Sequence, residues 1–204
     1  MKETDSATDR STNPSPSGEQ LHQCLKNHFL VAMPSLQDSV FSHTITLLCE
    51  HNENGAMGVI INSPLGIKMR EVFEQMKLHY SDNTGEQQIL AGGPVQTDRG
   101  FILHDGDINF ETTIKVSPGI NLTASKDIVF AIAGDKGPDN CLMTLGYAGW
   151  DGGQLEQEIS ENSWLVVPAD PDIIFHTPIE HRWAATAAQL GIDLDLISTQ
   201  VGHS

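Results

Sequence analysis

At 204 residues, 39% of them hydrophobic and 19% charged, the chain is long enough to bury a core and too apolar to be a disordered polymer. Eleven Lys and Arg against 27 Asp and Glu leave a formal charge of -16, and no window clusters Lys or Arg. Direct binding to duplex DNA or to an anionic membrane surface, each of which calls for concentrated positive charge, is therefore disfavoured.

No stretch reaches the roughly 18 apolar residues needed to cross a bilayer, and the polar first residues do not read as a secretory signal. The expected compartment is the cytoplasm. Cys24, Cys49 and Cys141 are odd in number and widely spaced, so reduced thiols are expected rather than a disulfide framework or a Cys-x-x-Cys site.

Residues 1 to about 20 are Ser, Thr, Asn, Pro, Gly and charge. They lack the apolar surface to offset their ordering entropy, which predicts a disordered tail ahead of one domain over 21–204. Residues 27–33 are the first buried strand, stopped by Pro34, and Thr44 to Cys49 the second. Asn52-Glu53-Asn54-Gly55 is a hairpin turn and Ala56 to Ile61 the returning strand. Met69, Val72, Phe73 and Met76 share one face of a helix. A polar loop from about His79 to Glu86 leads to a short strand, Ile89 to Ala91, which runs into Gly92-Gly93-Pro94.

Short strands are expected at Phe101–His104, Thr112–Val116 and Asn121–Thr123. A helix capped by Ser125 should run to about Ala133, followed by a strand over Cys141–Gly146. Asp151 is placed to cap the next helix, with Gln154 as its capping-box partner. Trp164 to Val167 is a buried strand ending at Pro168. Thr177-Pro178-Ile179-Glu180 opens a last helix, with Trp183, Ala187 and Leu190 inward and Gly191 as its stop. Strands and helices mix without regular alternation, which predicts an α+β single domain rather than a doubly wound sheet.

Each candidate for chemistry has a structural alternative. Gly92 and Gly93 could cradle an anion, but they lack the Gly-Lys-Ser/Thr of a phosphate loop and suit a turn equally well. Cys49 and His51 lie two apart, on one face of a regular strand, which suggests a thiol activated by an imidazole; a buried cysteine at a strand end is the alternative. His104-Asp105-Gly106-Asp107 could offer metal ligands or form a plain turn. His176 and His181 lack the spacing of a helical pair of ligands. No cofactor motif and no metal site is predicted.

Gly146-Tyr147-Ala148-Gly149-Trp150-Asp151 is the densest unusual segment. Its glycines permit close backbone approach, Tyr147 and Trp150 offer flat apolar surface, and a helix start at Asp151 could attract an anion. It is either a binding surface or an aromatic plug in the core.

The same residues carry a resemblance. Phe29-Leu30-Val31-Ala32-Met33-Pro34, Gly58-Val59-Ile60-Ile61-Asn62, Gly92-Gly93-Pro94-Val95, Gly146-Tyr147-Ala148-Gly149-Trp150 and Gly153-Gln154-Leu155-Glu156 resemble, in this order, the AlgH/YqgE family of bacterial proteins, over about residues 25–204. The resemblance implies a cytoplasmic protein whose strands fold into an irregular barrel-like sheet flanked by helices. It carries no agreed catalytic residues. One branch has been called a transcriptional regulator for its effect on exopolysaccharide expression. The charge and the lack of a helix-turn-helix pattern point to an indirect route, through a protein or small-molecule partner. The expectation is a non-enzymatic regulatory or binding protein using Tyr147, Trp150 and Asp151 with Gly92 and Gly93. The alternative is a small-molecule enzyme or redox sensor using Cys49 and His51.

Overall fold

The computed structural model describes residues 24–33, 36 and 40–191. The expected tail, the stop at Pro34 and the end of the expected domain lie outside these residues. The described chain is α+β, with ten strands, β1 His28–Ala32, β2 Ile45–Asn52, β3 Gly55–Ile60, β4 Pro64–Lys68, β5 Gln88–Ala91, β6 Val95–His104, β7 Thr113–Ser117, β8 Ile120–Thr123, β9 Cys141–Asp151 and β10 Trp164–Pro168. The helices are α1 Met69–Gln75, α2 Asp82–Gly85, α3 Lys126–Ala133, α4 Gln154–Ser160, α5 Pro171–Phe175 and α6 Arg182–Gln189.

The strands hydrogen-bond in the order β10-β1-β2-β3-β9-β6-β8-β7, with β5 against β9 and β4 against β5. The pairings are antiparallel except β5 with β9. The sheet is curled and not closed: β7 comes near β2 without joining its ladder. This is the expected barrel-like sheet with its seam left open.

Alternation along the strands divides the core, because successive side chains point to opposite faces. Phe29 and Val31 enter the cluster inside the curl, with Leu47, Val59, Phe101, Leu103 and Val167. Leu30 and Ala32 enter a second cluster beneath α4, with Ala148, Trp150, Leu155 and Trp164. A third lies under α1 and α3, where Ile102 and Met143 meet Phe73, Ile128 and Ile132. A strand buried on both faces reads as an unbroken apolar run, which is why Phe29-Leu30-Val31-Ala32 stands out in the sequence.

β9 is the strand that joins the two parts of the sheet. Its first half pairs with β6 and β5, through Leu145↔Gly100 and Thr144↔Leu90; its second half pairs with β3, through Ala148↔Gly58 and Trp150↔Ala56. The change falls at Gly146, whose φ of 73° bends the strand. There the chain after β5 crosses against it: a Cβ on Gly93 would stand 2.2 Å from the Tyr147 carbonyl carbon. Gly92 and Gly93 are thus required by the backbone crossing.

Several boundaries differ from expectation. β9 does not stop at Gly146 but runs on to Asp151, and the residue before α4 is Gly153. Gln154 still reaches back, its Oε1 accepting from the Asp151 N–H at 3.0 Å, so the predicted bond forms while the cap moves two residues on. The last helix begins at Arg182 after a 3-10 turn over Ile179–His181, and Thr177 donates to Asp172 instead of capping it. Arg182 explains the delay. Buried, it donates from Nε to Thr177 O and from Nη1 to Ile61 O, tying α6 to the chain just after β3. Exposed β4 and short α2 and α5 lacked a periodic apolar signal and were not anticipated.

Candidate functional site

β9 presents two unlike faces. On one, Trp150 is 6% exposed and closes the core below α4. Its ring meets Phe41 at 6.3 Å and Trp164, edge-on, at 5.9 Å. Glu158 of α4 completes this cluster: its Oε2 accepts from Nε1 of both Trp150 and Trp164, at 2.8 Å each. A buried indole N–H is costly without an acceptor, so one carboxylate satisfies two donors where the helix lies on the sheet. Trp150 is chiefly the plug of the two readings weighed above.

On the opposite face, Tyr147 is half-buried and meets the Phe101 ring edge-on at 5.7 Å. The two rings help line an open cleft of about 580 Å³ at one end of the curl. Met57 and Gly149 line it beside them, Arg99 stands on the β6 side, and Glu50, Asn52, Asn54 and Asp151 lie toward the β2–β3 hairpin. Trp150, although 6% exposed, also contributes to its lining. The structure therefore brings Tyr147, Trp150 and Asp151 to one cleft. Gly92 and Gly93 do not line it; they serve the crossing beneath.

Cys49 and His51 do not form a pair. The β2–β3 register shifts between Leu48 and Glu50, so Cys49 is the extra residue of a β-bulge. A bulge reverses the alternation after it. Cys49 points into the curl, while His51 is carried to the α4 side. There Nδ1 accepts from the Leu25 N–H and Nε2–H donates to Glu156 Oε1, both at 2.9 Å. Burial pushes the Cys49 thiol up to about 12, the neighbouring Glu50 charge adding to the effect. A thiol so protonated is a poor nucleophile at neutral pH.

The other candidate ligands also have structural partners. Both His104 ring nitrogens are engaged, by Asp105 O and Thr123 Oγ1, and burial lowers its pKa. The Asp105 carboxylate holds Asn140. Among the described residues, no three His, Cys, Asp or Glu side chains converge as metal ligands. No helix among them is long and apolar enough to span a membrane.

A family model for AlgH-like proteins matches residues 29–195. The chain belongs to the AlgH-like family. It is 48% identical to a UPF0301 protein of Saccharophagus degradans, the match covering 97% of this chain and 98% of that one. It is also 48% identical to the UPF0301 protein AlgH of Pseudomonas aeruginosa, over 88% and 96%. The solution structure of Pseudomonas aeruginosa AlgH superposes with a TM-score of 0.75 at 46% identity, covering 92% of this chain and all of that one. A Corynebacterium diphtheriae crystal structure shares the fold at 19% identity, with a TM-score of 0.67 over 89% and 94%.

Arg99, Phe101 and Met57 belong to the cleft and were not singled out in the sequence. Phe101 and Met57 look like ordinary strand residues. The available signal for Arg99 was a lone cation before Gly100 in a chain poor in cations.

Proposed function

We propose that this AlgH-like protein is a non-enzymatic binding protein, acting on gene expression indirectly through a ligand or partner held in the cleft beside Tyr147. The observation that carries the reading is the contrast across β9: one face is sealed by α4, with Trp150 buried, while on the other half-buried Tyr147 lines open space of about 580 Å³. A concave site with aromatic walls and a few polar groups is the usual form of a small-molecule site. The buried, protonated Cys49 supports binding over thiol chemistry. The charge of -16 supports a route that does not touch duplex DNA.

The test is retention on immobilised protein from a cell extract, comparing wild type with Tyr147→Ala. The expected result is a ligand or partner kept by the wild type and lost from the variant, with the variant still folded by circular dichroism. A folded variant that keeps everything the wild type keeps overturns the reading.

A further inference from the structure

We propose that the cleft takes an anionic small molecule with a flat apolar body, and that Arg99 holds its charge. This deepens the binding reading above and rests on it.

The first support is how the backbone presents Arg99. Along β6, Val95 pairs with Tyr147 and the next pair is Gly100 with Leu145. Four residues, 96–99, therefore stand opposite Gly146 alone. Such a bulge re-aims side chains at the cost of ladder hydrogen bonds, and bulges gather beside functional sites. This one also holds Gln96 at a φ of 48°, a left-handed conformation unfavourable for a side chain other than glycine's. Its last residue is Arg99.

The second support is what Arg99 touches. Its guanidinium carbon lies 5.2 Å from the centre of the Phe101 ring, and Nη1 donates to Gln96 Oε1 at 3.2 Å. Cation–π contact and one amide engage the group without neutralising it. Lys68 and Arg70 are instead tied to Glu86, with Arg70 also near Glu71. Among the described residues, no carboxylate pairs with Arg99, although the chain has an acidic excess of sixteen charges. An exposed guanidinium with N–H groups to spare suits a carboxylate, sulfonate or phosphate oxygen.

The third support is position. Arg99, Phe101 and Ile114 also line a cavity of about 260 Å³, and Arg99 reaches another of about 360 Å³ beside Val72 and Met143, so the cation stands where three spaces meet. Half-buried Tyr147 and Met57 supply apolar surface for a flat body, beside the buried Phe101 ring, and methionine adapts to irregular shapes. Glu50 and Asp151, toward the hairpin, repel a negative charge and so direct it to the β6 side.

The probes are 8-anilinonaphthalene-1-sulfonate and N-phenyl-1-naphthylamine, which share a ring system and differ by the sulfonate. Each is titrated by fluorescence into wild type, Arg99→Met and Arg99→Lys, and located by amide chemical shifts. The sulfonate should shift the amides of Tyr147 and Gly149. Arg99→Met should weaken it by about tenfold or more, the loss of one charge-assisted contact, and Arg99→Lys should restore part of this. The neutral probe should change by less than about twofold, since it makes no such contact. Equal weakening of both probes, or of neither, overturns the role of Arg99 while shifts at Tyr147 leave the binding reading standing. If neither probe shifts Tyr147 or Gly149, the cleft itself fails as a site.

Discussion

The two faces of β9 are made from one stretch of five residues, yet they do opposite things. Ala148 and Trp150 face α4, where Leu155 and Trp164 cover them and Glu158 receives both indole N–H groups. Tyr147 and Gly149 face the curl, where the sheet stays open and Tyr147 keeps part of its ring exposed. Aromatic content is similar on both faces. The difference comes from cover: a helix follows β9 directly and folds back over one side only. An aromatic residue becomes core or site according to what the next element covers.

The strongest way to break that contrast is to disturb the crossing that bends β9. Gly93→Ala would place a Cβ 2.2 Å from backbone atoms that have no rotamer to escape into, at a φ of 152°. We expect more than about 4 kcal/mol of destabilisation, or failure to fold, read by chemical denaturation. Folding with near wild-type stability would mean that the two halves of β9 are not held as described.

Next comes the comparison of faces itself. Trp150→Ala removes a plug and leaves space that its neighbours cannot fill, at an expected cost of about 3–5 kcal/mol. Tyr147→Ala, at a half-exposed position, should cost about 1–2 kcal/mol, since less apolar area leaves the interior. Equal costs in parallel urea titrations would erase the distinction between sealed and open faces.

The last effect is absent at neutral pH, grows with alkalinity and concerns the thiols of Cys49 and Cys141. The folded pKa of Cys49, about 12, lies above its ordinary 9.0, and Cys141 follows to about 11. Above about pH 9 the unfolded chain releases these protons and the folded chain does not. Stability should therefore hold below pH 9 and fall as pH rises through 9 toward 12. In thiol labelling at pH 8, exposed Cys24 should react first and Cys49 only on unfolding. Rapid labelling of Cys49 in folded protein would show that the curl is open where it should be closed.

Local signals were legible where cause and effect lie close in the chain. The β2–β3 hairpin forms with Asn52 opposite Gly55, as Asn52-Glu53-Asn54-Gly55 predicts, and α1 buries Met69 and Phe73 as their spacing requires. Cys49 and His51 show the limit. Strict alternation puts them on one face, but a bulge turns His51 toward Glu156, 105 residues away. Arg99 was illegible for a similar reason, because its bulge exists only opposite the bend at Gly146.

By itself the sequence determined that the chain is an acidic α+β protein with AlgH-like motifs, because composition and short-range periodicity act through local propensity and burial. It also marked Gly146 to Trp150 as unusual. Only the tertiary structure decided that this segment is a strand shared between two parts of a sheet, with Trp150 closed in and Tyr147 left at a cleft with Arg99. That division depends on which distant elements pack against each face, and pairing between residues far apart in the chain leaves no periodic trace along it.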